Sequence, residues 1–210
     1  MGDLKTLQKQ YGIGITGGAG TGKSTVCDIV KKYGYLVVDA DQLSRKAVAS
    51  GSDGLKQIVG HFGASALNEN GDLDRPAMRQ KIFSDPTAKV ELERITHPII
   101  RDLLLNELGQ YGLLAQPKLW FYEASLLFET GQYNRFRQIW LTHCSAETQI
   151  MRLIARDNID CDLAKKMVES QSISLEEKRL KADVLVDTDI PQPDLEHAIK
   201  LRLDKFPGNY

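Results

Sequence analysis

Apolar residues occur along the chain in short runs, each followed by a segment with helical spacing. This alternation predicts an α/β protein with a mostly parallel sheet and helices packed against it. Residues 119–122 and 184–186 are apolar at every position, which is typical of strands buried on both faces. The first helix is predicted between Val26 and Tyr33, where apolar residues recur with helical spacing. The predicted strands are residues 12–16, 36–41, 118–125, 138–145 and 183–189.

Two stretches interrupt this rhythm with helical patterns alone. Residues 52–114 contain no long apolar run, and their helical spacing lies at 55–62, 76–83 and 88–108. Residues 147–181 are helical and rich in charge, and they have the place and composition of a mobile lid. We therefore expect a core formed by residues 1–51, 115–146 and 182–210, which carries a helical insertion at 52–114 and a lid at 147–181.

The composition is that of an ordinary globular protein and disfavours several classes. The chain has 27 basic and 28 acidic side chains and a formal net charge of −1, whereas a general nucleic-acid binder usually has a basic excess. No stretch approaches the ~20 apolar residues of a membrane span, and residues 1–10 lack the apolar run of a signal peptide. The three cysteines lack metal-ligand spacing, as expected for reduced thiols. We expect a cytoplasmic protein, a monomer by default, without nucleic-acid or membrane partners.

The most specific motif is a glycine-rich loop. Residues 17–24, GGAGTGKS, match G-x-x-x-x-G-K-[ST] at every fixed position. Glycines allow positive φ angles, so the backbone N–H groups turn inward around phosphate oxygens, and the next helix adds its N-terminal donors. The loop lies between an apolar run and an amphipathic helix, so we expect a P-loop NTPase-type three-layer fold that binds ATP. The expected contacts come from Gly20, Thr21, Gly22, Lys23, Ser24 and Thr25.

Two of these side chains have predicted chemical roles. Lys23 is expected to reach the β- and γ-phosphates, and the Ser24 hydroxyl is expected to ligate Mg²⁺. The alternative is a glycine-rich turn that binds nothing, and the strand and helix predicted around the loop disfavour it.

A phosphate loop alone does not distinguish a kinase from a GTPase or a motor ATPase. Two aspartates indicate where the phosphate acceptor of a kinase would bind. The chain has no N-K-x-D segment of the kind that gives GTPases their guanine specificity, and it is short for a motor ATPase. Asp39 and Asp41 come at the end of the second predicted strand, where both would point to the same side. One could accept a proton from a substrate hydroxyl, and the other could hold a Mg²⁺-bound water or cap the next helix. In the alternative interpretation, Asp41 is only the N-cap of a helix beginning at Gln42.

The predicted lid contains Arg152 and Arg156, which share a helix face because they lie four residues apart. An arginine that closes from a lid can stabilise the charge of a transferring phosphoryl group. A merely solvated helix face explains the same spacing.

Three further residues have a functional and a structural interpretation. Glu123 ends the apolar run Leu119–Tyr122, where it could be a second, acidic Mg²⁺ ligand or a buried structural carboxylate. Arg45 lies four residues beyond Asp41 and could pair with an aspartate or with a substrate phosphate. His97, before Pro98, could contact substrate, although a single histidine is more often structural.

Several short segments follow one another in the order of one known family. They are residues 16–25, Asp39-Ala40-Asp41 with Arg45, Leu73-Asp74-Arg75, Ile82-Phe83, Thr96-His97-Pro98, Leu126-Leu127-Phe128-Glu129 and Ala182-Asp183. Together they resemble the dephospho-CoA kinases, and the resemblance covers nearly the whole sequence. The chain departs from the family pattern at Ser125, where the family usually has proline before Leu-Leu-Phe-Glu.

The resemblance implies an ATP-dependent kinase that needs Mg²⁺. It implies transfer of the ATP γ-phosphate to the ribose 3′-hydroxyl of dephospho-CoA, the last step of coenzyme A biosynthesis. It also implies that Asp41 is the general base, that the insertion embraces the coenzyme, and that Arg156, followed by Asp157, is the catalytic lid arginine. Arg152 then binds ATP, and Asp39, Arg45 and His97 bind substrate. A kinase of a nucleoside monophosphate or another small alcohol is the alternative enzyme, and an ATP-dependent regulatory module is the non-catalytic alternative.

Overall fold

Parallel strands form one central sheet in the computed structural model, which describes residues 3–170 and 173–206. The strand order in these residues is β2-β3-β1-β4-β5. Three of the neighbouring pairs have a defined parallel register, β1 with β3, β1 with β4, and β4 with β5. The strands are β1 (Gly12–Gly17), β2 (Val37–Asp39), β3 (Trp120–Glu123), β4 (Gln138–His143) and β5 (Val184–Asp187).

Helices flank the sheet and fill the two long connections, so the predicted α/β three-layer fold is confirmed. They are α1 (Leu4–Tyr11), α2 (Lys23–Lys32), α3 (Ala40–Ala47), α4 (Asp53–Phe62), α5 (Arg75–Ser84), α6 (Pro86–Gln110), α7 (Ala146–Asp157), α8 (Cys161–Glu169), α9 (Leu175–Lys181) and α10 (Gln192–Leu203). No helix within residues 3–170 and 173–206 is both long and apolar enough to cross a membrane.

The chain divides into two compact units. The first comprises the described residues of Met1–Val38 and Leu113–Tyr210, and the second is Asp39–Gly112. The predicted core and lid also include residues 1–2, 171–172 and 207–210, which lie outside the described residues.

The two faces of β1 explain its alternating sequence Gly-Ile-Gly-Ile. Ile13 and Ile15 are fully buried among side chains of α2, α10 and the neighbouring strands, and burying each such side chain contributes about 1.5–3 kcal/mol. On the other face, a Cβ atom at Gly14 would lie 2.7 Å from Ile139 Cδ1 and 2.8 Å from Leu127 Cδ1. Glycine is therefore needed for the segment after β3 to approach the strand. The packing fixes the end of β1, where the glycine-rich loop begins.

A separate hydrophobic cluster holds the second unit together. It joins Ala47 and Val48 at the end of α3 to Ile58 of α4, Met78 of α5 and Ile95 of α6. The three helical patterns predicted within residues 52–114 are confirmed as α4, α5 and α6. Because this cluster shares no residue with the cluster around β1, each unit has its own core.

The predicted second strand is wrong at its carboxyl end. β2 ends at Asp39, and α3 begins at Ala40 rather than at Gln42. Asp39 causes this early start, since its side chain caps the first turn of α3. Asp41 therefore lies on a helix, and the argument that the two aspartates share one side of a strand fails. Helix α1 was not predicted either, because its few apolar residues are surrounded by polar residues.

Candidate active site

The glycine-rich loop lies between β1 and α2, with two glycines in the left-handed region. Gly20 has a φ angle of +73° and Gly22 a φ angle of +77°, which side chains other than hydrogen rarely tolerate. A Cβ atom at Gly20 would also lie 2.7 Å from the carbonyl oxygen of Gln149, and one at Gly22 would lie 3.1 Å from Thr188 Oγ1. Both positions need glycine for conformation and for space.

The first residues of α2 present the donors of the predicted phosphate site. Lys23 is the first residue of the helix, so the N–H groups of Lys23, Ser24 and Thr25 belong to its first turn, where anions bind favourably. The Lys23 ammonium group donates to the carbonyl oxygens of Gly17 at 2.9 Å and Gly18 at 3.0 Å. The side chain thus lies across the loop that is expected to surround the phosphates.

Buried threonines fasten the loop to the sheet from below. Thr21 Oγ1 donates to the Gly18 carbonyl oxygen at 2.9 Å and lies 2.8 Å from Thr142 Oγ1. Thr142 Oγ1 in turn lies 3.2 Å from the Thr16 carbonyl oxygen and would collide with any Cβ atom at Gly17. The hydroxyl of Thr21 is thus used inside the protein, so this residue can contact a nucleotide only through its backbone.

Arg152 of α7 lies against the same loop. Its Nη1 donates to Thr188 Oγ1 at 2.9 Å and to the Gly20 carbonyl oxygen at 3.4 Å, and its Nη2 donates to the Thr188 carbonyl oxygen at 2.7 Å. The buried Thr188 hydroxyl lies 3.0 Å from the carbonyl oxygen of Thr21 and 3.2 Å from that of His143. Thr188 therefore joins the end of β5, the loop and the helix that carries Arg152.

Arg156, one turn further along α7, has different surroundings. Its side chain is 63% exposed, and its Nε and Nη2 donate to the two carboxylate oxygens of Asp157 at 2.7 and 2.8 Å. These hydrogen bonds raise the pKa of Arg156 and lower the pKa of Asp157. The structure thus brings Arg152, but not Arg156, into hydrogen-bonding contact with the loop among the described residues.

Glu123 ends β3 beside the first turns of α2. Burial is the main cause that raises the pKa of the Cys27 thiol, and the nearby negative charge of Glu123 raises it further. Cys27 lies three residues after Ser24, so the two side chains share a face of α2. Glu123 is consequently held close to the turn that carries the Ser24 hydroxyl.

The donors at this position fit a magnesium ion. Mg²⁺ prefers oxygen ligands, and it is usually bound by one or two protein groups together with substrate phosphates and water. Ser24 and Glu123 supply a hydroxyl and a carboxylate oxygen. Within residues 3–170 and 173–206, no three His, Cys, Asp or Glu side chains form a metal-binding group of their own.

In the second unit, the two aspartates have different roles. Asp39 Oδ1 accepts hydrogen bonds from the N–H groups of Asp41 at 2.8 Å and Gln42 at 3.0 Å, and its Oδ2 accepts from Gln42 Nε2 at 3.0 Å. The alternative that Asp41 is the N-cap is wrong, because Asp39 is. Asp41 is exposed on the first turn of α3, and its carboxylate has no hydrogen bond or ion pair to another described residue.

Arg45 and His97 also lie in this unit. Arg45 is exposed and lies one turn after Asp41 on α3. His97 is exposed on α6, immediately before the proline inside that helix. Pro98 cannot donate a backbone hydrogen bond, and Thr96 Oγ1 donates nearby to the Leu92 carbonyl oxygen at 2.8 Å. Both side chains are accessible to a ligand.

A family model for dephospho-CoA kinase matches residues 11–193. The chain belongs to the dephospho-CoA kinase family. It is 38% identical to the dephospho-CoA kinase of Geobacter sulfurreducens over 93% of this chain and 98% of that protein. It is 41% identical to the dephospho-CoA kinase of Staphylococcus haemolyticus over 83% of this chain and 85% of that one.

Several solved structures share the fold of this dephospho-CoA kinase family member. A crystal structure from Thermus thermophilus matches with a TM-score of 0.77 and 33% identity, covering 94% of this chain and 98% of that one. The dephospho-CoA kinase from Campylobacter jejuni matches with a TM-score of 0.63 and 26% identity, covering 92% and 96% of the two chains. A shikimate kinase from Acinetobacter baumannii, 17% identical with a TM-score of 0.50, shares the fold alone.

Sequence reasoning missed three residues that shape this kinase's phosphate loop. Thr142 is a polar residue at the end of an otherwise apolar strand, which was a usable signal of a buried hydrogen bond. Thr188 and Cys27 gave no comparable signal. Their partners, Arg152 for Thr188 and Glu123 for Cys27, are distant in the sequence and are brought close only by the fold.

Proposed function

We propose that this protein transfers the γ-phosphate of ATP to the ribose 3′-hydroxyl of dephospho-CoA, which gives coenzyme A in the last step of its biosynthesis. The dephospho-CoA kinase family match over residues 11–193 is the observation that carries the proposal. The geometry of the glycine-rich loop supports the nucleotide half of the reaction.

On the nucleotide side, backbone N–H groups of the loop and of the first turn of α2 bind the phosphates. These groups belong to Gly20, Thr21, Gly22, Ser24 and Thr25. Lys23 exchanges its two carbonyl contacts for the β- and γ-phosphates. The hydrogen bonds of the buried residues Thr21, Thr142 and Thr188 keep these donors in place. Little reorganisation is therefore needed when charge develops on the transferring phosphoryl group. Arg152, which already touches the loop, binds the ATP phosphates.

Ser24 and Glu123 hold the magnesium ion in this proposal. When bound, Mg²⁺ would supply positive charge that offsets the negative charge of the ATP phosphates. The Glu123 carboxylate lies beside the Cys27 thiol and raises its pKa, which places this carboxylate next to the first turns of α2.

On the acceptor side, Asp41 is the general base. A ribose hydroxyl is a poor nucleophile at neutral pH, and a carboxylate within hydrogen-bond reach orients it and accepts its proton. Asp39 contributes indirectly, because its capping bonds fix the first turn of α3 and thereby the position of Asp41. The availability of the Asp41 carboxylate, contrasted with the fully used Asp39, supports this order of roles.

The remaining assignments complete the proposal. Arg156 leaves Asp157 during turnover and stabilises negative charge on the transferring phosphoryl group, as arginines of phosphotransferases do. Arg45 and His97 contact the coenzyme, the insertion at 52–114 binds it, and residues 147–181 act as the lid. The enzyme is a cytoplasmic monomer without nucleic-acid or membrane partners.

An acceptor panel tests the proposed activity. Purified protein, ATP and Mg²⁺ are incubated with dephospho-CoA, AMP, shikimate or no acceptor, and products are identified by ³¹P NMR. We expect a new 3′-phosphomonoester with dephospho-CoA and a kcat/KM at least ~100-fold higher than with AMP or shikimate, in line with the discrimination available to specific polar contacts. A preference for AMP, or ATP hydrolysis without transfer, contradicts the proposal.

A further inference from the structure

A concave pocket of about 380 Å³ lies on the second unit, with two arginines in its wall. Arg45 comes from α3 and Arg75 is the first residue of α5. We propose that this pocket, through Arg45 and Arg75, binds the diphosphate of dephospho-CoA. The inference rests on the proposed function, because it takes dephospho-CoA as the acceptor. That molecule carries a diphosphate on the 5′-oxygen of the ribose whose 3′-hydroxyl reacts.

The charges of the pocket favour an anion. In the part of the chain that the structure describes, neither Arg45 nor Arg75 forms an ion pair with a carboxylate within 4.0 Å, whereas Arg94 and Arg101 of the same unit do. Guanidinium groups bind phosphate oxygens through two parallel hydrogen bonds. The pocket wall also contains one carboxylate, Asp72, which opposes an anionic ligand. Two arginines against one aspartate leave the pocket with a net positive charge.

The backbone around Arg75 is fixed before any ligand arrives. The Asp74 side chain caps α5 by accepting from the Ala77 N–H at 2.9 Å, and the Asp74 N–H donates to the Ala66 carbonyl oxygen at 2.8 Å. Asn68 closes the preceding turn, since its Oδ1 accepts from the N–H groups of Asn70 and Asp72, each at 3.0 Å. Arg75 therefore extends from a rigid turn, which lowers the entropy lost when it binds a ligand.

The spacing along α3 matches the shape of the substrate. Asp41 and Arg45 are one helical turn apart, about 6 Å along the axis. In the substrate, five bonds join the 3′-oxygen to the first phosphorus. Their contour is about 7.5 Å at about 1.5 Å per bond, and the bond angles shorten the end-to-end span to about 6 Å. One face of α3 can therefore hold the reacting hydroxyl at Asp41 and the diphosphate at Arg45. Arg75 then adds the second cation that a diphosphate requires.

Steady-state kinetics of Arg75→Ala, Arg75→Lys and Arg79→Ala tests the proposal. Arg79 is the matched control, an exposed arginine one turn further along α5 that does not line the pocket. For Arg75→Ala we expect the KM for dephospho-CoA to rise at least ~10-fold, since a charge-assisted bidentate contact is lost. We expect the KM for ATP to stay within about twofold of the wild-type value. The KM of Arg75→Lys for dephospho-CoA should lie between the values of the wild type and Arg75→Ala, because lysine keeps the charge but lacks the planar guanidinium group.

An added variant keeps the test decisive if Arg75→Ala does not fold. Asp72→Asn removes the opposing charge, and we expect it to lower the KM for dephospho-CoA or leave it unchanged, with ATP unaffected. An unchanged KM for dephospho-CoA in Arg75→Ala, an equal rise in Arg79→Ala, or a higher KM in Asp72→Asn overturns the proposal. If the wild-type protein does not phosphorylate dephospho-CoA at all, the proposed function fails first. If only the pocket proposal is wrong, the wild-type protein still phosphorylates dephospho-CoA.

Discussion

At the residue scale, the division of work between Asp39 and Asp41 is the feature on which the acceptor chemistry depends. Asp39 uses three hydrogen bonds to hold the first turn of α3, and a carboxylate so engaged is poorly available to a substrate. Asp41 lies two residues later, exposed on that turn. Asp39 therefore stabilises the first turn of α3, and the Asp41 carboxylate on that turn is accessible to a ligand.

This division predicts that alanine substitution of the two aspartates has unequal effects on stability. Replacing an N-cap aspartate by alanine costs about 0.5–2 kcal/mol, so Asp39→Ala should lower the free energy of unfolding by about 1 kcal/mol. Asp41→Ala should change it by less than about 0.5 kcal/mol, as for a surface site without partners. Urea unfolding followed by circular dichroism measures both values. A larger loss for Asp41→Ala than for Asp39→Ala would return Asp41 to a structural role.

At the element scale, Thr188 connects β5 to α7 and to the phosphate loop. Its hydroxyl accepts from Arg152 and lies within reach of the Thr21 and His143 carbonyl oxygens. A helix of the predicted lid is thus attached to the loop that we propose binds ATP. Loss of this hydroxyl should disturb nucleotide binding even where it leaves the fold intact.

Thr188→Val should raise the KM for ATP by about 10-fold, since a hydrogen bond to a charged group contributes about 1.5–3 kcal/mol. Thr188→Ser keeps the hydroxyl and should restore near-normal kinetics. The KM for dephospho-CoA is the internal reference and should not change in either variant. If serine and valine behave alike, the hydroxyl has no such role.

A buried ion pair fixes α9 to the Leu-Leu-Phe-Glu segment after β3. Lys178 Nζ lies 2.9 Å from Glu129 Oε1, and the two side chains are 4% and 15% exposed. Breaking a buried pair from one side leaves an uncompensated charge and costs about 3–5 kcal/mol. The motif that resembles the family thus includes a structural carboxylate.

A double-mutant cycle measures this pair. Lys178→Met and Glu129→Leu should each lower the free energy of unfolding by about 3 kcal/mol, and the double variant should lose clearly less than the sum, because neither charge then remains unpaired. Chemical unfolding of the four proteins gives the coupling free energy. Additive losses would show that the two side chains do not stabilise one another.

At the scale of the whole molecule, the sequence predicted the architecture because the signals are local. Apolar strands such as Trp120–Glu123 and the glycine loop before α2 are read from neighbouring residues. The predicted end of β2 was wrong because the Asp39 carboxylate accepts hydrogen bonds from the N–H groups of Asp41 and Gln42, and α3 therefore begins at Ala40. Thr188 could not be found, since it and Thr21 lie 167 residues apart and meet only through the fold. Hydrogen bonds between residues so far apart in the chain produce no periodic pattern in the sequence.

The proposed chemistry draws on both units of the chain. The first unit carries the loop, Lys23 and the residues proposed to hold magnesium, and the second carries Asp41 and the arginine pocket. Each unit has its own hydrophobic cluster, so a change at Asp41 should leave the folding and the nucleotide affinity of the first unit intact. Loss of catalysis without loss of ATP binding is therefore the signature of the proposed base.

The kcat of Asp41→Asn at saturating ATP and dephospho-CoA tests the central claim most directly. Asparagine keeps the shape of the side chain and removes its charge and basicity, and helix α3 keeps its cap at Asp39. We predict that kcat falls at least ~100-fold, the size of a general-base contribution, while ATP affinity and melting temperature remain close to the wild-type values. A variant that keeps more than about a tenth of the wild-type kcat, a barrier change below about 1.4 kcal/mol, would contradict the assignment of Asp41 as the base.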